Sequence, residues 1–242
     1  TRAIHDYQLS HSAAPLDVAA LVETATGLLP PTRQSNHSGP PMLSMAFVGG
    51  PFQRVLRPTQ LEEPSVAKAM HKQALFGEPG VFDGTKGVDI GINDAALVLA
   101  QVGGARIQVD EHGSLVMHLP LERVEQRARS GFGGLAIIEE VVVRQLTVAI
   151  AYADWLFERI DPTQRLTHMA ISASIEANDF LGWRTQAEDD ASPGSGQMRM
   201  GRDENPAPIH VDCHRAALRH ETKALADDLM VPLRRQRRVR SG

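Results

Sequence analysis

The longest uninterrupted periodic segment of the chain is LAIIEEVVVRQLTVAIAYADWLFERI, at residues 135–160. Apolar residues recur there at intervals of three and four, which places them on one side of a helix with 3.6 residues per turn. This stripe comprises Leu135, Ile138, Val142, Leu146, Ala149, Ala153, Leu156 and Ile160. A second apolar stripe runs beside it, so a helix of about 39 Å is expected to be mostly buried. The sequence therefore predicts a central helix around which the rest of the chain packs.

Pro162 and the charged residues of this segment indicate where the helix ends and whether it could span a membrane. Pro162 disfavours the helical conformation at the preceding residue, so we expect the helix to end near Ile160. Ionised groups are costly deep in lipid, and this segment contains Glu139, Glu140, Arg144 and Asp154. The helix is therefore not expected to span a membrane.

Composition favours a soluble globular protein. The chain has 242 residues, of which 42% are hydrophobic and 22% charged, an ordinary balance for such a protein. A net charge of −4 argues against a surface covered in positive charge. Cys213 is the single cysteine, so no internal disulfide can form, which fits the cytoplasm. The chain opens on Thr1 without a secretory signal, and we expect it to be part of a longer protein.

The first 41 residues are predicted to lie outside the main domain. Residues 16–29 are typical of a short helix, and PPTRQSNHSGPP, at residues 30–41, is typical of a linker. We therefore divide the chain into a helix and proline-rich linker at residues 1–41 and a single domain at residues 42–242.

Between residues 81 and 119 the apolar period changes to two. Four segments, GVDIGI, AALVLAQV, ARIQVD and SLVMHL, are separated by turns too short for parallel crossovers, so they predict an antiparallel meander. MLSMAFV, FQRVL and residues 166–176 are predicted to be further strands, and residues 65–76 a helix with Pro64 in its first turn. The predicted fold class is α+β, with a mostly antiparallel sheet of about six to eight strands packed on the central helix.

The C-terminal part is less regular. Residues 185–208 lack periodicity and are rich in Gly, Pro, Ser and Asp, so we expect a mobile loop. A short strand and a final helix from about His214 follow, and Pro232 is expected to kink or end that helix. The last residues form a basic tail with Arg234, Arg235, Arg237, Arg238 and Arg240. Such a cluster can bind nucleic acid or an acidic partner, and it can equally be a solvated end.

His210, Asp212 and His214 recur at every second residue and would share one face of a strand. Adjacent members could hold a metal ion, although the outer two lie about 13 Å apart in an extended strand. In the alternative interpretation, Asp212 caps the final helix and the chain holds no metal or cofactor. Cys213 points to the other side and is predicted to be a small buried residue.

Two weaker patterns resemble catalytic or cofactor motifs. GFGGLA, at residues 131–136, matches the G-x-G-x-x-A form of a dinucleotide-binding turn, but a charged segment precedes it, which favours a flexible entry to the central helix. The predicted strand at residues 166–176 contains Ser172 and Ser174, and neither lies in a G-x-S-x-G elbow. The small residues of this strand are expected to admit a packed helix. The polar face of that strand comprises His168, Ser172, Ser174 and Glu176, while His118 and Asp89 are lone titratable residues on other strands.

Three stretches carry a family resemblance. They are the helix and linker before PPMLSMAFVGGP, the hairpin QVDEHGSLVMHLPL, and the long helix ending in ADWLF followed by RLTHMAISASI. In this layout the chain resembles the C-terminal portion of bacterial, mainly actinobacterial, proteins that carry a schlafen-like AlbA_2 domain at their N-terminus. The resemblance implies that the AlbA_2 domain, which is associated with nucleic acid or nucleotide binding, lies elsewhere in the parent chain. It carries over no functional residue.

Our leading functional hypothesis is a noncatalytic regulatory, assembly or ligand-sensing module of a larger cytoplasmic protein. Its expected partners are the rest of the parent chain and, at the C-terminal arginines, nucleic acid or an acidic protein. The alternative is an enzyme with a dispersed polar or metal site near His210, Asp212 and His214. Tightly held metal would favour the enzyme.

Overall fold

The computed structural model describes residues 16–30, 40–78, 80–121, 136–177, 181–192 and 206–237. In chain order, its helices and strands are α1 (Val18–Gly27), β1 (Met42–Gly50), α2 (Pro58–Leu61), α3 (Pro64–Phe76), β2 (Val88–Asn93), β3 (Ala96–Gln101), β4 (Arg106–Asp110), β5 (Leu115–Pro120), β6 (Ala136–Ile138), α4 (Glu139–Ile160), β7 (His168–Glu176), β8 (Gly182–Arg184), α5 (Gln186–Ala191), β9 (Ile209–His214), α6 (Ala217–His220) and α7 (Thr222–Arg237).

Seven of these strands form one sheet in the order β2-β3-β4-β5-β1-β7-β9. Each neighbouring pair is antiparallel, as the short turns of the meander require. The predicted α+β fold is confirmed, with the meander at β2 to β5 and the strand that follows the central helix at β7. Helix α3 also matches its prediction, because Pro64 lies in its first turn and the helix ends at Phe76.

Helix α4 packs against one face of this sheet, here called the inner face. Leu146 and Phe157 of α4 have no exposed surface, and neither do Leu43, Met45 and Phe47 of the central strand β1. These residues belong to one continuous hydrophobic cluster. The helix that organises the chain is therefore the one that the apolar stripe predicts.

Residues 136–138, which the sequence assigns to the central helix, form a strand instead, and Leu135 lies outside the described residues. Helix α4 begins at Glu139, and the three residues of β6 pair in parallel with β8. Ile137 and Ile138 are buried and β-branched, which favours a pleated strand over the first turn of a helix. The glycines of the GFGGLA motif, at residues 131–134, lie outside the described residues. The predicted end is correct, since α4 ends at Ile160.

FQRVL, at residues 52–56, is not the strand that the sequence predicts. The backbone N–H groups of Val55 and Leu56 both donate to the carbonyl of Glu111, at 2.9 and 3.0 Å. A ladder would use alternating residues and several carbonyls, so this segment is a loop whose backbone is held by the Glu111 carbonyl of the β4–β5 turn.

Helix α1 covers part of the opposite, outer face of the sheet. Its apolar side packs on small and β-branched residues of β1, β5 and β7, and the cluster comprises Leu21, Ala25, Leu29, Ala46, Val48, Val116 and Ala170. The Oγ1 atom of Thr26 lies 3.1 Å from Oγ of Ser172. The small residues of β7 therefore admit a packed helix, as expected, and that helix is the one that precedes the linker.

The C-terminal elements depart from the prediction in three ways. Asp212 lies inside β9, opposite Ala170, and the N-cap of α6 is Ala216, so Asp212 caps no helix. Pairing with β7 keeps the backbone extended through His214, so no helix begins directly after Asp212, where capping preferences predict one. Within the predicted loop at 185–208, Thr185 and Glu188 form a capping box that starts α5. Residues 193–205 lie outside the described ranges.

The third departure concerns Pro232, which does not end the final helix. Helix α7 continues through it to Arg237. Leu229, Met230 and Leu233 on either side are buried against the core, and this burial offsets the hydrogen bond that proline cannot donate. None of the helices in the described ranges is long and apolar enough to cross a membrane.

Candidate functional site

A pocket of about 720 Å³ opens beside the loop that leads from β1 to α2. It is lined by Arg54, Val55, Leu56, Arg57, Gln60 and Arg165. Three of the six lining residues are arginines and none is acidic. We call this cavity the arginine pocket.

The loop places two of the arginines at the pocket because the two consecutive residues between them are anchored. Val55 and Leu56 are buried and are held by the Glu111 carbonyl, whereas Arg54 and Arg57 are exposed. The N–H of Arg57 donates to Oε1 of Gln60 at 2.8 Å, which fixes the start of α2. The two arginines are therefore carried on a backbone that is tied at several points.

Arg165 comes from the connection between α4 and β7, and it joins that connection to the loop. Its Nη1 and Nη2 atoms donate to the carbonyls of Arg54 and Val55, at 3.4 and 3.2 Å. Its Nε atom donates to Oδ1 of Asp161 at 3.2 Å. The guanidinium group thus fixes the pocket wall while its positive charge remains beside the cavity.

Asp161 holds the guanidinium group of Arg165 in place. Its side chain is completely buried, and Oδ2 accepts from Nη1 of Arg215 at 2.8 Å and from the N–H of Leu166 at 2.9 Å. A buried carboxylate is tolerated when it is paired and its remaining lone pairs accept hydrogen bonds. Asp161 therefore connects the end of α4, the start of β7 and the residue that follows β9.

The charges around the pocket do not cancel. Arg54 forms an ion pair with Glu111 at 2.9 Å, but its side chain is 57% exposed, so solvent screens the pair. Arg57 has no ion-pair partner among the described residues. The three arginines that line the pocket have two carboxylate partners between them, and one of these is shared with Arg215, so the lining has an excess of positive charge. Guanidinium groups arranged in this way are suited to phosphate or carboxylate ligands.

An aromatic pair lies at the edge of the same loop. The rings of Phe52 and His112 stack with centroids 4.4 Å apart and an angle of 17° between their planes. Phe52 is 48% exposed. His112 adjoins Glu111, the ion-pair partner of Arg54, so the stacked pair and the pocket share the same contact between loop and hairpin.

A separate polar network crosses three strands on the outer face of the sheet. Oγ of Ser44 donates to Oε1 of Glu176 at 2.9 Å and lies 2.8 Å from Nδ1 of His118. With its proton directed at Glu176, Ser44 accepts from His118, so the ring carries its proton on Nδ1. Burial lowers the pKa of His118, Glu176 opposes this shift, and Arg106 adds to it. Ser44 has no exposed surface, which makes it a bridge between the two groups and not an accessible nucleophile.

The sequence offered no direct signal for this network. His118 and Glu176 were noted on separate strands, but Ser44 was not. The partners lie 74 and 132 positions apart, and only the strand register places Ser44 opposite His118. The lone titratable residue on β5 is thus part of a network.

The described C-terminal arginines do not form a solvent-exposed cluster. Arg237 is 4% exposed and its Nη2 atom donates to the carbonyl of Ile175 at 2.7 Å. Arg234 pairs with Glu139 at 3.1 Å, while Arg235 is exposed. Arg237 is therefore not part of a solvated end, because α7 continues and packs on the sheet. Arg238 and Arg240 lie outside the described residues, and nucleic-acid binding by this segment stays a prediction.

His210, Asp212 and His214 lie on the exposed outer side of β9, as the alternation predicts. The rings of His214 and His168 meet edge to face with centroids 5.6 Å apart. Within the described ranges, no group of three or more His, Cys, Asp or Glu residues is arranged to hold a metal ion. Cys213 is half-buried, and burial together with Asp212 and Glu221 raises its pKa to about 11.

Comparison of the chain with models of known protein families, with curated proteins and with solved structures finds no match. The resemblance to AlbA_2-associated proteins therefore stays a prediction.

Proposed function

We propose that this chain is a noncatalytic ligand-sensing module that binds a phosphate-bearing ligand in the arginine pocket. The observation that carries the proposal is the convergence of Arg54, Arg57 and Arg165 on one cavity whose lining contains no acidic residue. Charge-assisted hydrogen bonds from guanidinium groups are among the strongest that proteins make with phosphate oxygens.

The chemistry of the lining favours binding over catalysis. The six residues that line the cavity are arginine, valine, leucine and glutamine, and none of these accepts or releases a proton near neutral pH. General acid–base catalysis requires a group that titrates near the working pH, and covalent catalysis requires a nucleophile. A ligand in this cavity would therefore be held without being converted.

The position of the pocket suits a regulatory part of a larger protein. Arg165 bonds to the β1–α2 loop and to Asp161 at the end of α4, so a ligand that draws this guanidinium group towards itself would act on the central helix. Ligand binding can shift an equilibrium when the two states differ in their contacts to the ligand.

Isothermal titration calorimetry with inorganic pyrophosphate tests the proposal. We expect binding that weakens as salt is added and is reduced about tenfold in Arg57→Gln, the loss expected for one charge-assisted hydrogen bond. Arg144→Gln is the matched control, because Arg144 is an exposed arginine on α4 about 24 Å before the end of the helix. Absence of binding at low salt, or equal weakening by the two variants, would overturn the proposal.

The alternative is an enzyme with a site near His210, Asp212 and His214. Its supporting observation is the contact between the rings of His214 and His168, which brings a further imidazole to this edge of the sheet. Elemental analysis decides between the two proposals. One equivalent of metal that is lost in both His214→Ala and His168→Ala would favour the enzyme.

A further inference from the structure

We infer that the ligand of the arginine pocket is a nucleotide, whose base stacks on Phe52 while its phosphates lie among Arg54, Arg57 and Arg165. This inference rests on the proposed function and adds the class of ligand. The decisive juxtaposition is an exposed, fixed aromatic ring beside a cationic cavity. A phosphate ion alone has no π-face that could stack on the ring.

The ring and the cavity lie within the reach of one small ligand. Phe52 and Arg54 are two residues apart, so covalent geometry limits their Cα atoms to a separation of about 7 Å. Both are exposed, whereas the intervening Gln53 is half-buried and donates to the carbonyls of Pro51 and Arg165. Phe52 and Arg54 therefore share the solvent side of the loop. A nucleotide joins its base to its phosphate through a single sugar, which is a span of the same order.

The position of the Phe52 ring suits stacking with a base. His112 covers one of its faces at a centroid distance of 4.4 Å, which restricts the ring, and the side chain is still 48% exposed. A base on the other face would extend a stack that already contains two rings. Because every base presents a π-face, such a platform recognises the presence of a base more than its identity.

The same chemistry could come from a free nucleotide or from a single-stranded nucleic acid. Both present a base joined to a phosphate, and aromatic platforms beside positive grooves bind single strands in general. The experiment therefore compares three ligands on the full chain: inorganic pyrophosphate, ADP and a fluorescein-labelled single-stranded oligothymidylate.

For the intact chain we expect ADP to bind at least about tenfold more tightly than pyrophosphate, as stacking of one base predicts. Phe52→Ala should remove this difference and leave the affinity for pyrophosphate within about twofold, whereas Arg57→Gln should weaken both ligands. Phe52→Leu keeps an apolar side chain and more of the volume than alanine does, without an aromatic face, and guards against a folding defect in the alanine variant. Phe76→Ala is the matched control, because Phe76 is 76% exposed at the end of α3 and lies outside the pocket lining.

The outcomes separate the two proposals. Equal affinities for ADP and pyrophosphate, or an ADP affinity that Phe52→Ala leaves unchanged, would overturn the nucleotide inference while leaving the anion pocket intact. Failure of every ligand to bind would overturn the pocket itself. Tighter binding of the oligonucleotide than of ADP, lost in Phe52→Ala, supports the inference and identifies a single strand as the source of the base. The reverse order supports it with a free nucleotide.

Discussion

Oδ2 of Asp161 lies 2.8 Å from Nη1 of Arg215, and the two side chains are 0% and 9% exposed. Two buried opposite charges compensate each other's desolvation only while both are present. The same carboxylate holds Arg165, whose other donors fix the loop of the arginine pocket. The shape of the candidate site therefore depends on a buried residue that does not line it.

Asp161→Ala should destabilise the protein by about 3–5 kcal/mol, because it leaves the Arg215 guanidinium group buried without its carboxylate. A loss of this size is a large fraction of the total stability of a typical domain. Urea unfolding followed by circular dichroism measures it. Asp161→Asn, which keeps the side-chain volume and an acceptor oxygen, should lose less, and an unchanged midpoint for the alanine variant would contradict the anchoring role.

Leu146→Asp should destabilise the whole domain by several kcal/mol, because Leu146 has no exposed surface and belongs to the central cluster. Arg144→Gln on the exposed side of the same helix should change the free energy of unfolding by less than about 0.5 kcal/mol. Thermal unfolding by differential scanning calorimetry compares the two. If Leu146→Asp unfolded cooperatively at the wild-type temperature, α4 would be a peripheral helix.

The elements that the sequence predicts correctly are those that local physics determines. Helix α4 has an apolar stripe and a following proline, and the meander has strict alternation with short turns, so neighbouring residues suffice to identify them. The arginine pocket was missed because Arg54 and Arg165 are 111 positions apart, and they meet because the end of β1 at Gly50 pairs with the start of β7 at His168. Ser44 and Glu176 likewise become neighbours through strand register alone.

The errors near the C-terminus show the opposite case, in which a local signal is overridden. Pro232 is a helix breaker and Asp212 a good capping residue, yet the first lies inside α7 and the second inside β9. In both places long-range contacts decide: α7 buries Leu229 and Leu233 around the proline, and β9 pairs along its length with β7. Local propensities are weak compared with packing of this extent.

Arg237→Gln should destabilise the protein by about 1–3 kcal/mol, because it removes a buried, charge-assisted donor from the carbonyl of Ile175. Arg235→Gln is the matched control, since Arg235 is the exposed neighbour on the same turn of α7 and its substitution should be nearly neutral. Chemical unfolding of both variants provides the comparison. Equal stabilities of the two variants would show that the buried hydrogen bond of Arg237 contributes nothing measurable to folding.

The Ser44–His118–Glu176 network predicts a stability that depends on pH. Burial, with a smaller contribution from Arg106, lowers the pKa of His118 below its ordinary value of 6.5, although Glu176 acts in the other direction. The unfolded chain therefore binds this proton more readily than the native protein, so the contribution of His118 to stability is complete above pH 6.5 and is lost as the pH falls through the lowered native pKa. His118→Asn keeps an N–H donor for Ser44 but does not titrate, so its free energy of unfolding should decline less than that of the wild type between pH 8 and pH 5. Urea unfolding at a series of pH values measures the decline, and NMR titration of the His118 ring protons measures the pKa directly. A ring pKa above 6.5, or identical pH profiles for the two proteins, would show that burial does not hold the ring of His118 neutral.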